Sequence, residues 1–487
     1  NKLFKSQLRI ENFICTKNLD NLLTVSGNIQ KKKETYEVIN PATEEVLAEY
    51  DAIPVEQVKD EVQDSRMVFN SIWKKIDISE RAKLLRSLGH ILHARKTEFA
   101  TIITNEMGKP IRESLAEVEK CSWVCEYFAD NGPKFLEHEE LNTGAKSSYV
   151  RFDPLGVIGC IMPWNFPFWQ ALRFCLPAML AGNTVVLKHS SVCPLSGNTL
   201  QHVIEEAGFP KGVFRHLVGN YTVGEALAQA PVDAISITGS TRAGKRVAEI
   251  ASQNLHKFIL ELGGSDPFVV LKDADVDKAA EIGVASRFLN NGQSCIAAKR
   301  FIVAEEVLEE FTKKFQEHVE KQIVGDPLDP KTTIGPLVRG NSREVIAKQI
   351  SDSTSVGAKI LTGGDAPSGT GFFFNPTVLT NVQPEMSVSR EEVFGPVAPI
   401  ISVKNPIQAI KIANDTEFGL GSSIWSEKYA IENNLAKDID AGMVYINSMV
   451  ISDPRVPFGG VKNSGIGREL SDYGIKEFVN VKSVIVN

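Results

Sequence analysis

Residues 154–172 read PLGVIGCIMPWNFPFWQAL, nineteen positions without a formal charge. That length could cross a bilayer, but Gly156, Gly159, Pro163 and Pro167 interrupt it, and Asn165 and Gln170 lie within it. Proline and glycine at those places fit a buried strand, a turn and a helix start, and they exclude a continuous span.

Downstream the same alternation repeats. Apolar runs at 156–162, 184–188, 213–218, 234–238 and 257–261 read as strands, and 166–181, 194–207, 222–229 and 241–252 as helices. Strands separated by helices predict a parallel sheet with right-handed crossovers, which binds ligands at the carboxyl ends of its strands. After Gly264 a second series begins, with strands near 267–271, 299–304, 398–403 and 442–446 and helices near 275–289, 306–321, 342–352 and 405–414. Upstream, Leu84, Leu85, Leu88, Ile91 and Leu92 mark an amphipathic helix over 79–100 opening at Ser79, and 110–130 continues as helix. The polar run 142–152 reads as an extended ribbon. The expected architecture is two α/β domains facing one another across a cleft.

The chain has 487 residues, of which 43% are hydrophobic and 23% charged, with a net charge of −7. This composition excludes a disordered or collagen-like molecule. A negative balance argues against a nucleic-acid or anionic-membrane partner. The seven cysteines are scattered with no CxxC pair, and the eight histidines form no HxxEH or HExxH cluster, so neither a disulfide framework nor a metal site is expected. Residues 1–33 hold seven Lys or Arg against two Asp or Glu and lack an apolar signal core. They read as an N-terminal extension, with a targeting segment as the alternative.

The strand ends carry the chemistry. Asn165, between two prolines, can donate an amide hydrogen bond into a site or simply form a turn. Lys188 closes the second strand, where a lysine more often meets a ligand than solvent. Gly239-Ser240 opens a helix, and small residues there let backbone N–H groups approach a phosphate, although helix caps of this type are common. Glu261 lies among Ile259, Leu260 and Leu262, so desolvation would raise its pKa toward a general base's range unless a Lys or Arg pairs with it. Cys295 follows Asn290-Asn291-Gly292-Gln293-Ser294 in what reads as a flexible polar turn, unlike the apolar-flanked cysteines between 121 and 193. A thiol, a glutamate and an amide donor together suit covalent catalysis at a carbonyl.

Five motifs extend this reading. Pro163-Trp164-Asn165-Phe166-Pro167, Glu261-Leu262-Gly263-Gly264, Gly292-Gln293-Ser294-Cys295, Glu391-Glu392-Val393-Phe394-Gly395-Pro396 and Pro457-Phe458-Gly459-Gly460 occur in the order seen in NAD(P)-dependent aldehyde dehydrogenases. The resemblance covers about residues 36–487. It implies a Rossmann-like cofactor domain over 34–140 and 155–263, an α/β catalytic domain over 264–469, and a β-ribbon oligomerisation segment from 141–154 and 470–487. Through it Cys295 matches the nucleophile, Asn165 the oxyanion donor beside the Cys295 backbone N–H, and Glu261 the base that activates water. Lys188 matches the ribose-binding lysine, Gly239 and Ser240 the pyrophosphate contact, Glu392 the carboxylate on the nicotinamide ribose, and Phe394 and Trp164 aromatics of the dinucleotide channel. Glu469 matches a carboxylate of a proton relay.

The segments around Glu261 and Phe458 most resemble the succinate-semialdehyde dehydrogenase branch. Arg173, eight residues after Asn165, matches that branch's carboxylate-binding arginine, or pairs with an acid in the helix layer. The branch's second arginine, six residues before the nucleophile, is Leu289 here; Arg455, in Ser452-Asp453-Pro454-Arg455, is the expected substitute, with Ser452 beside it. The resemblance thus implies oxidation of succinate semialdehyde, with lactaldehyde or glutarate semialdehyde as alternatives and a non-enzymatic structural role disfavoured by the intact Cys295, Glu261 and Asn165. Ser191, three residues after Lys188, stands where NAD-preferring relatives carry a glutamate, so NADP is the expected cofactor and NAD the alternative. A homodimer or homotetramer in the cytoplasm completes the expectation, with mitochondria as the alternative if residues 1–33 are a targeting remnant.

Overall fold

Buried apolar runs build the first sheet. Val157–Met162, Thr184–His189, Phe214–Leu217, Ala234–Thr238 and Lys257–Glu261 pair in parallel, with the short strand Gly465–Ile466 antiparallel at one edge. In space the order is Gly465–Ile466, Lys257–Glu261, Ala234–Thr238, Val157–Met162, Thr184–His189, Phe214–Leu217. The chain therefore moves outward from Val157–Met162 in one direction and returns to add Ala234–Thr238 on its other side. That reversal opens a crevice at the carboxyl ends, between the residues that follow these two strands. Trp164 and Asn165 follow the first strand; Gly239 and Ser240 follow the second.

The computed structural model describes residues 34–487; the N-terminal extension expected over 1–33 lies outside the described residues. The charge-free stretch 154–172 is the strand Val157–Met162 running into the helix Pro167–Leu180, every residue of which is buried. Among the described residues no helix is long and apolar enough to cross a membrane.

A second sheet has seven strands in the order Lys359–Thr362, Thr377–Thr380, Val397–Val403, Ala298–Ala304, Asp266–Val270, Gly421–Trp425, Met443–Ile446. Three of these were not expected from the sequence: Lys359–Thr362, Thr377–Thr380 and Gly421–Trp425. Two are four-residue strands at the sheet's margin, and the third, Gly-Ser-Ser-Ile-Trp, lacks an apolar run. The single helix expected over 79–100 is two, Ile78–Ala94 and Lys96–Met107, joined at Arg95. The first opens on Asp77, whose carboxylate accepts from the Ser79 N–H; the cap is two residues before the expected Ser79.

Of the expected 142–152 ribbon, 147–152 lie in the strand Ser147–Pro154, while 142–146 belong to no strand and bend over 143–146. The strand Ser147–Pro154 pairs antiparallel with the C-terminal strand Val479–Val486 along its whole length, and with Glu139–Glu140 on the other side. Val481 and Ile485 on that C-terminal strand are 59% exposed.

Candidate active site

The segment before Cys295 is not the flexible turn its composition suggested. Asn290, Asn291 and Gly292 all take positive φ, at 57°, 58° and 75°. Asn290, Asn291, Gln293 and Ser294 are buried. The Asn290 N–H donates to Glu113 (2.7 Å), while its amide donates to the carbonyls of Asn165 and Gln293. The Asn291 amide donates to the carbonyls of Gly108 and Pro336 and accepts from the Gly335 N–H. A Cβ on Gly292 would stand 2.3 Å from the Gly395 carbonyl, so only glycine fits this turn. The five residues of polar sequence before the nucleophile are thereby fixed in a buried, hydrogen-bonded turn.

Lys299 holds the other side of the nucleophile's loop. Its buried ammonium donates to the carbonyls of Ser294 (2.9 Å) and Cys295 (2.6 Å) and lies 3.5 Å from Glu392. Glu392 in turn accepts from the Gly264 N–H. Burial pushes the Cys295 thiol up to about 11, with Lys299 and then Arg173 pulling it down.

Asn165 is buried beside this loop. Its side-chain amide donates to the Gln293 carbonyl (3.1 Å) and its Oδ1 accepts from Gln170. Among the described residues the second amide N–H has no hydrogen-bond partner, which leaves it free to act as an oxyanion donor.

Cys295 opens onto a cavity of about 630 Å³. Phe166, Trp169, Gln170 and Arg173 supply one wall, Phe288 and Leu289 another, and Val450, Ser452 and Phe458 a third. The helix carrying Trp169, Gln170 and Arg173 starts without a capping side chain of its own. Glu117, from the long helix Ile111–Phe135, caps it instead, accepting the N–H groups of Phe168 and Trp169 at 2.9 Å each. Its other oxygen is paired with the fully buried Lys109 ammonium at 2.5 Å. Glu113, Glu117 and Lys109 were not singled out from the sequence. The signal available was acidic residues at i and i+4 on a helix whose neighbouring positions are apolar.

Arg173 and Glu469 form a buried ion pair, 2% and 1% exposed, and the guanidinium lies 4.3 Å from the centre of the Phe458 ring. Arg173 thus lines the cavity and pairs with an acid, one that lies in the loop after Gly465–Ile466 and not in the helix layer. Glu261 stands beside this pair but does not line the cavity. Both its oxygens are buried without a hydrogen-bond partner among the described residues, close against Gly459. Burial raises its pKa well above the usual carboxylate range, Glu469 raises it further, and Arg173 and Arg468 oppose them. Ser452 lines the cavity with an unpartnered buried hydroxyl. Arg455 does not join them. Its guanidinium is largely exposed and bound through two nitrogens to Asp453, so it is not the free second cation expected from the sequence.

The dinucleotide candidates gather on the crevice side. Trp164 and Phe394 meet edge to face with ring centres 5.8 Å apart. Ser240 caps the helix Thr241–Gln253, accepting from the Ala243 N–H, and a Cβ on Gly239 would meet nothing nearer than 3.8 Å. That leaves room for an anion at a helix N-terminus. Lys188 is buried with no carboxylate partner among the described residues, and burial lowers its ammonium to about 8. Ser191 is half-buried in the turn before the helix Pro194–Glu206 and does not begin it. An unpaired buried ammonium, an open glycine cradle and an aromatic pair fit a phosphate-bearing dinucleotide.

The aldehyde dehydrogenase family model matches residues 29–484. The chain belongs to the aldehyde dehydrogenase family. It is 43% identical to succinate-semialdehyde dehydrogenase [NADP(+)] 1 of Mycobacterium ulcerans over 92% of this chain and 98% of that protein. The structure of succinic semialdehyde dehydrogenase from Streptococcus pyogenes, a complex with NADP+, superposes with a TM-score of 0.90 at 35% identity, covering 93% and 99% of the two chains. An NAD-dependent aldehyde dehydrogenase from Sinorhizobium meliloti superposes with the same score at 34% identity over 93% and 91%. Family membership makes this chain an aldehyde-oxidising enzyme, and the two-sheet α/β fold is the family's.

Proposed function

We propose that this aldehyde dehydrogenase oxidises succinate semialdehyde to succinate with NADP+. The observation that carries the reading is a single cavity holding both the Cys295 thiol and the Arg173 guanidinium, so that one end of a short substrate meets a nucleophile and the other a cation. Deprotonated Cys295 adds to the carbonyl carbon. The resulting alkoxide accepts hydrogen bonds from the Asn165 amide and the Cys295 N–H, an arrangement in which one lost donor typically costs about 3 kcal/mol of barrier. The carbon–hydrogen bond then breaks with its electron pair, leaving a thioester on Cys295. The cofactor supplies the hydride acceptor when bound. Glu261 takes a proton from water as the water attacks the thioester, and the carbon–sulfur bond breaks to release the acid and the Cys295 thiolate. Burial and the neighbouring Glu469 charge hold Glu261 proton-hungry enough for that task.

Lys188, Gly239, Ser240 and Ser191 hold the adenosine end of the dinucleotide; Trp164, Glu392 and Phe394 hold the nicotinamide end. A serine at 191 places no carboxylate against a 2′-phosphate, which supports NADP over NAD. On this reading 34–140 and 155–263 form the cofactor domain, 264–469 the catalytic domain, and 141–154 with 470–487 the oligomerisation segment. The exposed apolar residues Val481 and Ile485 support a homodimer or homotetramer built on that edge. Six described cysteines are all free thiols, which suits the reducing cytoplasm.

An aldehyde panel assayed with NAD+ and NADP+ tests the proposal. The highest kcat/KM is expected for succinate semialdehyde with NADP+, and Ser191→Glu should shift the ratio toward NAD+. A wild-type preference for an uncharged aldehyde, or for NAD+, overturns the corresponding half.

A further inference from the structure

Resting on the substrate reading above, we propose that Lys120 is the second cation that receives the substrate's distal carboxylate, the place Leu289 cannot fill. Lys120 sits on the helix Ile111–Phe135 and lines the same cavity as Cys295, Arg173 and Leu289. Its ammonium lies over Trp169, 4.2 Å from the ring centre. That ring is also a cavity wall, so the charge is held at the lumen and not swung out to solvent.

The two carboxylates whose charges act on Lys120, Glu117 and Asp453, are already engaged. Glu117 is bound to Lys109 and caps the Pro167–Leu180 helix, and Asp453 is bound to Arg455. Among the described residues Lys120 has no ion-pair partner, although its cation neighbour Arg173 does. Burial, and then the Arg173 charge, lower the Lys120 ammonium to about 8, with the Cys121, Asp453 and Glu117 charges opposing. Of these two neighbouring cations only Arg173 has an ion-pair partner among the described residues, so the Lys120 ammonium is left at the cavity without a bound counter-ion. Arg112 also borders the cavity, but it is exposed at the first turn of the helix, where water screens it. A dicarboxylate half-aldehyde supplies the missing charge; an uncharged aldehyde does not.

The test compares wild type with Lys120→Gln, which keeps a stem over Trp169, with Lys120→Met and with Lys120→Arg. Succinate affinity is measured directly by calorimetry, and kinetics are measured with succinate semialdehyde and with butanal. The glutamine and methionine variants should lose at least about tenfold in succinate affinity and gain a similar factor in KM for the semialdehyde, the size of a charge-assisted contact. Their kcat, and their kcat/KM for butanal, should stay within about twofold. Lys120→Arg should retain most of the affinity. Unchanged succinate affinity in both neutral variants, or equal losses with the two aldehydes, overturns the proposal. A wild-type preference for butanal would instead defeat the substrate reading, while the succinate measurement still reports on Lys120.

Discussion

The Arg173 guanidinium is bound to the Glu469 carboxylate through Nε, both side chains being almost wholly buried, and Glu261 stands beside them without a partner. Two buried acids are compensated chiefly by Arg173, with Arg468 adding to it at Glu261. Whatever changes that charge changes the base that is to activate water.

Glu469→Gln should move the pH profile. Removing the Glu469 charge takes away a contribution that raises the Glu261 pKa, and it leaves Arg173 un-neutralised, which lowers it further. Both effects have the same sign. The acidic limb of steady-state turnover should shift to lower pH, while the first hydride burst, which precedes water attack, keeps its profile. An alkaline shift, or equal movement of both phases, would show that Glu261 is not the base.

The same pair predicts a stability cycle. Arg173→Ala strands Glu469 beside Glu261 and should cost about 3–5 kcal/mol, the usual penalty for leaving half of a buried ion pair. Adding Glu469→Gln removes the stranded charge and should recover most of that loss, a strong non-additivity. Thermal denaturation of the four proteins measures it. Additive losses would mean that the pair contributes no mutual stabilisation.

Gly292→Ala should give a folded enzyme with at least about 100-fold lower kcat, since small misplacements of a reacting group carry that scale of loss. The added methyl cannot occupy the 2.3 Å gap to the Gly395 carbonyl, and φ of 75° strains any other residue. Cofactor binding, measured by fluorescence titration, should be retained because the strain acts on the loop bearing Cys295. Near-normal kcat would show that the loop relaxes without moving the thiol.

Alkylation of Cys295 in the cofactor-free enzyme should be slow at neutral pH and accelerate steadily toward alkaline pH. With the thiol raised to about 11, the thiolate fraction grows about tenfold per pH unit through the range 7–9. Iodoacetamide labelling quantified at the Cys295 peptide measures this. A rate that levels off near pH 7 would reveal a thiolate formed without the cofactor.

The first sheet was readable because its strands are buried on both faces and so appear as short apolar runs between helices. Gly421–Trp425 escaped because two of its five residues are serines, buried here all the same: Ser423 donates to the Ser448 carbonyl and accepts from the Trp425 indole N–H. No periodicity records such pairings. Within the site, Asn165 was visible because it follows a strand end and Arg173 because it stands eight residues further on, whereas Cys295 was visible because it ends a polar segment unlike the apolar surroundings of the other cysteines. Lys299 and Lys120 were not, because a lysine within a strand or helix looks the same in sequence whether it faces water, a carbonyl or a cavity. Arg455 misled for a related reason: its bond to Asp453, two residues away, satisfies locally a charge that the sequence left free to act at a distance.

The turn before the nucleophile also bears on how the enzyme ages. Asparagine followed by glycine is the dipeptide most prone to spontaneous deamidation, because the glycine nitrogen can swing onto the side-chain carbonyl and close a five-membered ring. Asn291-Gly292 is such a pair, three residues from Cys295. Here the amide is clamped by two carbonyls and one N–H from Gly108, Pro336 and Gly335, and the whole turn is buried. The ring cannot close without breaking all three bonds. The folded enzyme should therefore keep an intact asparagine through long storage, and isoaspartate at 291 would mark only those molecules that have opened.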